Sequence, residues 1–269
     1  RWIAFESQAS NLVAGDTNGA QDVFVHDRQT GETRRVSVAR NGSQGDGDSS
    51  HPVISADGRY VAFVSAAANL VADDTNGRED IFVHDRQHHR TVRVSVTDAG
   101  SQGVDWGGAA NPAIAANGRF VAFDMDGTLT DDDSSNWRDV FVHDRDVSGD
   151  GVFDEAGDIR TVRVSVATNG SEGNYHSEAP DLSDEGRFVV FESGATNLAP
   201  DKTAYTLDVF LHDRDTDEDG VFDEAGAIST VRISQGRDNK EADAPSEQPA
   251  LSGDGRFAVF ASRATNLLA

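Results

Sequence analysis

The sequence predicts an all-β protein, a β-propeller of four-stranded antiparallel blades. Two observations carry that prediction. Short strand-like markers recur together along the chain, and no amphipathic helical stretch interrupts them. The segment 55–63 (Ser-Ala-Asp-Gly-Arg-Tyr-Val-Ala-Phe) returns at 115–123, 183–191 and 252–260. Its glycines, Gly58, Gly118, Gly186 and Gly255, are 60, 68 and 69 residues apart. A second marker, Asp-Val/Ile-Phe-Val/Leu-His-Asp-Arg, occupies 22–28, 80–86, 139–145 and 208–214. A third, Val-Arg-Val-Ser-Val, spans 92–96 and 162–166, with variants at 34–38 and 231–234.

Each repeat reads as four strands. Strand A follows a proline, as at 52–55. An Asp-Gly or Asn-Gly tight turn, a strong hairpin signal, leads into strand B at 59–65. Strand C is 80–86 and strand D 91–96. Val, Ile and Phe fill these segments, as half-buried and buried strands require. One domain over 1–269 follows, with repeats at about 1–51, 52–111, 112–179, 180–248 and 249–269. The chain starts and ends on strand B, so five blade positions are present and the terminal blades are incomplete. This pattern predicts a piece of a larger propeller of six or more blades.

The combination of segment 55–63 with Asp80-Ile-Phe-Val-His-Asp resembles the WD40-like (PD40) repeat of TolB-type propellers, four times over. The resemblance implies the fold. It leaves the function open, because one fold hosts many roles.

Composition narrows the partners. The chain has 47 Asp and Glu against 23 Lys and Arg, a formal charge of −24. Such a field repels phosphate backbones and anionic membranes, so neither nucleic acid nor membrane insertion is expected, while cations are natural counter-ions. No window approaches a transmembrane run. With no cysteine, disulfides, thiolate metal sites and a cysteine nucleophile are excluded.

Two insertions between strands C and D are the sharpest candidates for chemistry. They read Asp-Val-Ser-Gly-Asp-Gly-Val-Phe-Asp-Glu from Asp146 and Asp-Thr-Asp-Glu-Asp-Gly-Val-Phe-Asp-Glu from Asp215. Oxygen donors at loop positions 1, 3, 5, 7 and 9, with glycine at 6, suit calcium, a hard cation that takes six to eight oxygens. The first set is Asp146, Ser148, Asp150, the Val152 carbonyl and Asp154. The second is Asp215, Asp217, Asp219, the Val221 carbonyl and Asp223. Both depart from an EF-hand: position 12 is Gly157 or Gly226, and no helices flank the loops. An acidic hairpin without an ion is the plainer reading.

The B–C loops carry a weaker pattern. Segment 16–22 (Asp-Thr-Asn-Gly-Ala-Gln-Asp) recurs at 74–80 and decays at 133–139 and 202–208. It reads first as a turn held by Asx side chains, and Lys202 argues against an ion in the last of the four. Segment 123–131 (Phe-Asp-Met-Asp-Gly-Thr-Leu-Thr-Asp) resembles the first motif of haloacid-dehalogenase-type phosphatases, but it continues a strand B in register with its repeats. The four His-Asp-Arg triplets, at His26, His84, His143 and His212, occupy one repeated place, which points to stacking rather than to a converging site.

Strand alternation puts the A–B turns and C–D loops at one end of each blade and the B–C and D–A loops at the other. Variation concentrates in the D–A segments 45–51, 104–108, 174–178 and 237–241. Trp106, Tyr175 and His176 there are candidate ligand contacts, since loops on a rigid scaffold carry recognition. The resulting expectation is a non-catalytic, periplasmic or extracellular scaffold, stabilised by calcium, that binds a protein or glycan. The alternative is a propeller enzyme: the propeller domain of a larger peptidase-like hydrolase, or one with a central metal.

Overall fold

The computed structural model describes residues 1–236 and 239–268. Arg237 and Asp238, part of the last D–A segment, lie outside the described residues. Among the described residues, seventeen strands form five antiparallel sheets. Blade 1 is β1 (Trp2–Ser7), β2 (Asp22–Asp27) and β3 (Thr33–Arg35). Blade 2 is β4 (Ser49–Ile54), β5 (Tyr60–Ser65), β6 (Asp80–Asp85) and β7 (Arg90–Arg93). Blade 3 is β8 (Val104–Ile114), β9 (Phe120–Thr128), β10 (Asp139–Asp144) and β11 (Arg160–Arg163). Blade 4 is β12 (Ser177–Leu182), β13 (Phe188–Ser193), β14 (Asp208–Asp213) and β15 (Ser229–Arg232), and blade 5 is β16 (Ser246–Leu251) and β17 (Ala258–Ser262). The A strands β4, β8, β12 and β16 lie against one another in turn and form the inner edge.

Strand A differs from its expected position. In blades 2, 4 and 5 it begins three residues before the proline, and in all four it carries a bulge there. His51, Asn111, Ala179 and Gln248, each just before a proline, take φ of 51°, 49°, 53° and 56°. Proline has no N–H for the ladder, so pairing breaks at this point. The displaced amide of the preceding residue is received by a carboxylate of the previous blade: His51 by Glu6 at 2.6 Å, Ala179 by Asp124 at 2.9 Å and Gln248 by Glu192 at 2.6 Å. In blade 3 the segment 104–108 is itself strand, at the start of β8.

The core lies between blades. Phe63 pairs with Phe82, Phe123 with Phe141 and Phe191 with Phe210, with ring centroids 5.8–6.0 Å apart. All six rings are fully buried, and burying each contributes about 1.5–3 kcal/mol. One cluster joins Val23 and Val25 of blade 1 to Val61 and Phe63 of blade 2; two more repeat that contact between blades 2 and 3 and between blades 3 and 4.

The repeated motifs build the seam between these layers. At Gly118 φ is 79°, and an added Cβ would lie 2.3 Å from the Tyr60 ring of the previous blade. Gly58, Gly186 and Gly255 meet Trp2, Phe120 and Phe188 in the same way. The arginine after strand C covers the same ring: Arg145 lies 4.7 Å over Tyr60 and donates to the Gly118 carbonyl at 2.7 Å, and Arg214 does likewise with Phe120 and Gly186. The histidine faces strand D. His143 Nδ1 is 2.8 Å from Thr161 Oγ1, whose hydroxyl donates to the Val96 carbonyl of the previous blade. His84–Thr91–Val38 and His212–Thr230–Val166 repeat the chain. The motif glycine, arginine and histidine therefore all stack blades.

Candidate functional site

The rim at the far end of the blades is built from B–C loops fastened to D–A loops. Thr17 N–H donates to Gln44 at 3.2 Å and Asn18 to the Gly45 carbonyl at 3.0 Å. In blades 3 and 4, Ser134 and Thr203 hydroxyls donate to Glu172 and Glu241 at 2.8 Å. The loops are thus held shapes.

An aromatic group stands on this rim. Trp137 lies 4.9 Å from both Tyr175 and His176, and Tyr175 lies 5.3 Å from Tyr205, centroid to centroid. Tyr175 and His176 are 5.1 Å apart. Trp137 and Tyr205 are 37% and 60% exposed. Gly194 makes room for Tyr175, since a Cβ there would fall 2.6 Å from its ring. His176 Nδ1 accepts from the Arg138 amide at 3.0 Å. Trp106, 48% exposed, borders a separate cleft with Asp126 and Asn136, one residue from Trp137. Tyr175 and His176 thus come together, and Trp106 borders the separate cleft. Sequence reasoning missed Trp137 and Tyr205, because it looked for recognition in the D–A segments alone. The aromatics replacing glycine-containing B–C turns in blades 3 and 4 were the available signal.

The C–D loops gather carboxylates, with a different membership from the one expected. Asp146, Asp150 and Asp158 offer oxygens within 4.8 Å of one another, as do Asp215, Asp217 and Asp219. Ser148 lies among the first set and donates to Asp158 at 2.9 Å. Asp158 was not anticipated. Asp154 and Asp223 are engaged elsewhere: Arg145 grips Asp154 with two bonds of 2.8 and 2.7 Å, and Arg214 grips Asp223 with bonds of 2.9 and 2.5 Å. Bidentate pairing of this kind fixes both oxygens on the fork. The amides of Val152 and Val221 donate to Asp150 and Asp219, both at 2.9 Å. Asp146 and Asp215 also accept loop amides, from Asp150 and Gly151 and from Asp219 and Gly220. Each loop thus gathers three carboxylates, and the carboxylate at loop position 9 pairs with a seam arginine.

The B–C and D–A loops of blade 3 bring a third acidic group together. Asp133, Asp139 and Glu172 present oxygens within 4.8 Å of one another. Burial pushes the Asp139 carboxyl up to about 7 and Asp133 up to about 6. The expected Asx turns are present too: Asn18 and Asn76 side chains accept the amides two residues on, at 3.3 and 3.0 Å.

In the phosphatase-like segment both motif aspartates, Asp124 and Asp126, are engaged. Strand β9 pairs antiparallel with both neighbours. Asp124 accepts from Arg138, from Asn111 at 2.7 Å and from the Ala179 amide at 2.9 Å, and Asp126 accepts from Arg138 at 2.6 Å. The seam histidines bond to threonines. Burial pulls His84, His143 and His212 down to about 4, so they are neutral at physiological pH.

No protein-family model matches the sequence, and no curated protein matches it. Solved structures do. TolB from Acinetobacter baumannii is 12% identical with a TM-score of 0.50, over 98% of this chain and 47% of that one. The tricorn protease is 13% identical with a TM-score of 0.51, over 93% and 21%. The β-propeller domain of the Trilobed protease from Pyrococcus furiosus is 10% identical with a TM-score of 0.51, over 98% and 60%. The chain spans less than two thirds of each. The sheets and these likenesses together define a β-propeller fold. Among the described residues, no helix is long and apolar enough to cross a membrane.

Proposed function

We propose that this chain is a non-catalytic, TolB-like propeller scaffold, working outside the cytoplasm, that binds a protein or glycan partner through its aromatic rim. The observation that carries this reading is the contiguous group Trp137, Tyr175, His176 and Tyr205 on loops fastened to a rigid stack. Aromatic side chains cover much area with few rotatable bonds, so ordering them on binding costs little, and they recur as anchors in interfaces. The neutral, threonine-bonded histidines and the arginine-held Asp124 and Asp126 favour a binding role over turnover.

The same reading places calcium in the C–D loops, at Asp146, Asp150 and Asp158 and at Asp215, Asp217 and Asp219. These loops lie at the opposite end from the aromatic rim, so the ions would brace the scaffold without touching the partner. A second reading keeps the fold and changes the setting: a propeller belonging to a longer peptidase. The names of the tricorn and Trilobed proteases support it.

Photo-crosslinking tests the binding face. A photoreactive residue at Tyr205 is expected to capture one discrete partner in the native cell envelope, and one at Val147, exposed on the opposite end, is not. Trp137→Ala should abolish the Tyr205 product without moving the melting temperature. Equal capture from both positions would sink the proposal. Protease and glycosidase digestion of the product separates protein from glycan.

A further inference from the structure

One position in the B–C loop is solved differently in each blade. Strand C begins with an aspartate, Asp22, Asp80, Asp139 or Asp208, that is fully or almost fully buried. In each of these four blades its Oδ1 accepts a serine hydroxyl from beyond strand D: Ser37, Ser95, Ser165 or Ser234. Its Oδ2 is where the blades part. In blade 1 Oδ2 accepts from Asn18 at 3.0 Å and Arg35 at 2.9 Å. In blade 2 it accepts from Asn76 at 3.1 Å. In blade 4 the Lys202 ammonium donates to it at 2.7 Å and to the Thr206 carbonyl at 2.6 Å. In blade 3 the asparagine is replaced by Ser135, and Asp139 Oδ2 is buried with no hydrogen-bond partner.

Charge follows the same pattern. Asp133 stands at the sequence position of Lys202, and its side chain is 1% exposed. Glu172 stands where blades 1 and 2 have Gln44 and Gln102. Arg163 lies 3.2 Å from Asp133 and 3.1 Å from Glu172 and supplies one positive charge. With all three ionised, the carboxylates against one guanidinium would leave two negative charges without compensation. In blade 4 Lys202 and Arg232 balance Asp208 and Glu241. A buried unpaired carboxylate is costly, and such groups are normally paired or bound to a metal.

We propose that blade 3 binds a divalent hard cation, of the calcium class, between Asp133, Asp139 and Glu172. The cation takes the role that the Lys202 ammonium plays one blade on, and Asp139 Oδ2 is the oxygen it satisfies. By sequence correspondence with Thr206, the Trp137 carbonyl is the next ligand. Hard cations favour all-oxygen sets of this kind. Trp137 lies in this loop, so the ion would hold the aromatic rim in place. The inference stands independently of the proposed function, since it rests on the differences between blades.

The test uses the full chain, stripped with chelator and titrated calorimetrically with calcium alone. Wild type is compared with Asp133→Lys, which transplants the blade 4 solution, and with Ser135→Asn, which transplants that of blades 1 and 2. Wild type is expected to take up one more calcium per chain than either variant. Ions in the C–D loops count equally in all three. Terbium luminescence sensitised through Trp137 is expected to fall at least fivefold in Asp133→Lys. Without calcium, that variant is expected to melt above wild type. Equal stoichiometry in all three proteins, or no calcium uptake by wild type, overturns the proposal. Should Asp133→Lys fail to fold, Ser135→Asn alone decides it.

Discussion

The seam between blades and the rim above them use opposite strategies. At each seam among blades 1 to 4 the later blade places the same residues against the earlier one: a positive-φ glycine under an aromatic ring, an arginine over that ring, and a histidine–threonine pair reaching a carbonyl. At the rim the Oδ2 of one buried aspartate meets an asparagine in blades 1 and 2, no donor in blade 3 and a lysine in blade 4. Repeated positions record stacking, because every layer must cover the next. Positions that break the repeat record local chemistry.

Removing the lysine from the rim is expected to have the largest effect. Lys202→Met leaves Asp208 buried without its cation. Breaking a buried pair on one side costs about 3–5 kcal/mol. Urea unfolding measures this. A loss below about 1 kcal/mol would mean that the rim charges are exchangeable decoration.

The seam glycine comes next. Gly118→Ala forces both the left-handed backbone and a Cβ 2.3 Å from Tyr60, at a cost of about 3 kcal/mol. Gly157→Ala, at φ 85° with nothing within 4 Å, costs only the backbone strain, about 1 kcal/mol. The difference between the two melting shifts isolates the stacking contact. Equal shifts would remove the ring from the account.

The smallest effect is on pH dependence. Burial holds His212 down at about 4, below the ordinary 6.5. Between those values the unfolded chain binds a proton that the native state refuses, so stability falls as pH drops through the window. The slope per histidine reaches about 1.4 kcal/mol per pH unit. His212→Gln should remove one such proton. Blade 4 suits the test because Asp133 and Asp139, whose raised values give the opposite slope, belong to blade 3. An unchanged slope of unfolding free energy against pH would show that His212 titrates normally.

The fold was legible because the repeats state it directly: Asp-Gly turns, apolar strands and a fixed period leave few alternatives. The strand A boundary was not, since a proline reads as a start when it in fact sits inside a bulge between Ser50 and Val53. The calcium-like spacing named Asp154 and Asp223 as donors but did not reveal their pairing with the seam arginines. Sequence gives the order of donors around a loop. It does not give their direction after a positive-φ residue such as Asp154 itself, at 64°. Trp137 and Tyr205 were overlooked because decay of a motif reads as loss, whereas here it brings in aromatic rings.

Native-state hydrogen exchange tests the stacking claim most directly. The amides of Ala56, Ala116 and Asp184 each bond to a carbonyl of the next blade, at 2.8–3.0 Å. The account predicts that they exchange only through global opening, as slowly as strand amides such as Val83 and Val142. Exchange at the rate of the exposed B–C loops would show that the blades separate freely and would contradict it.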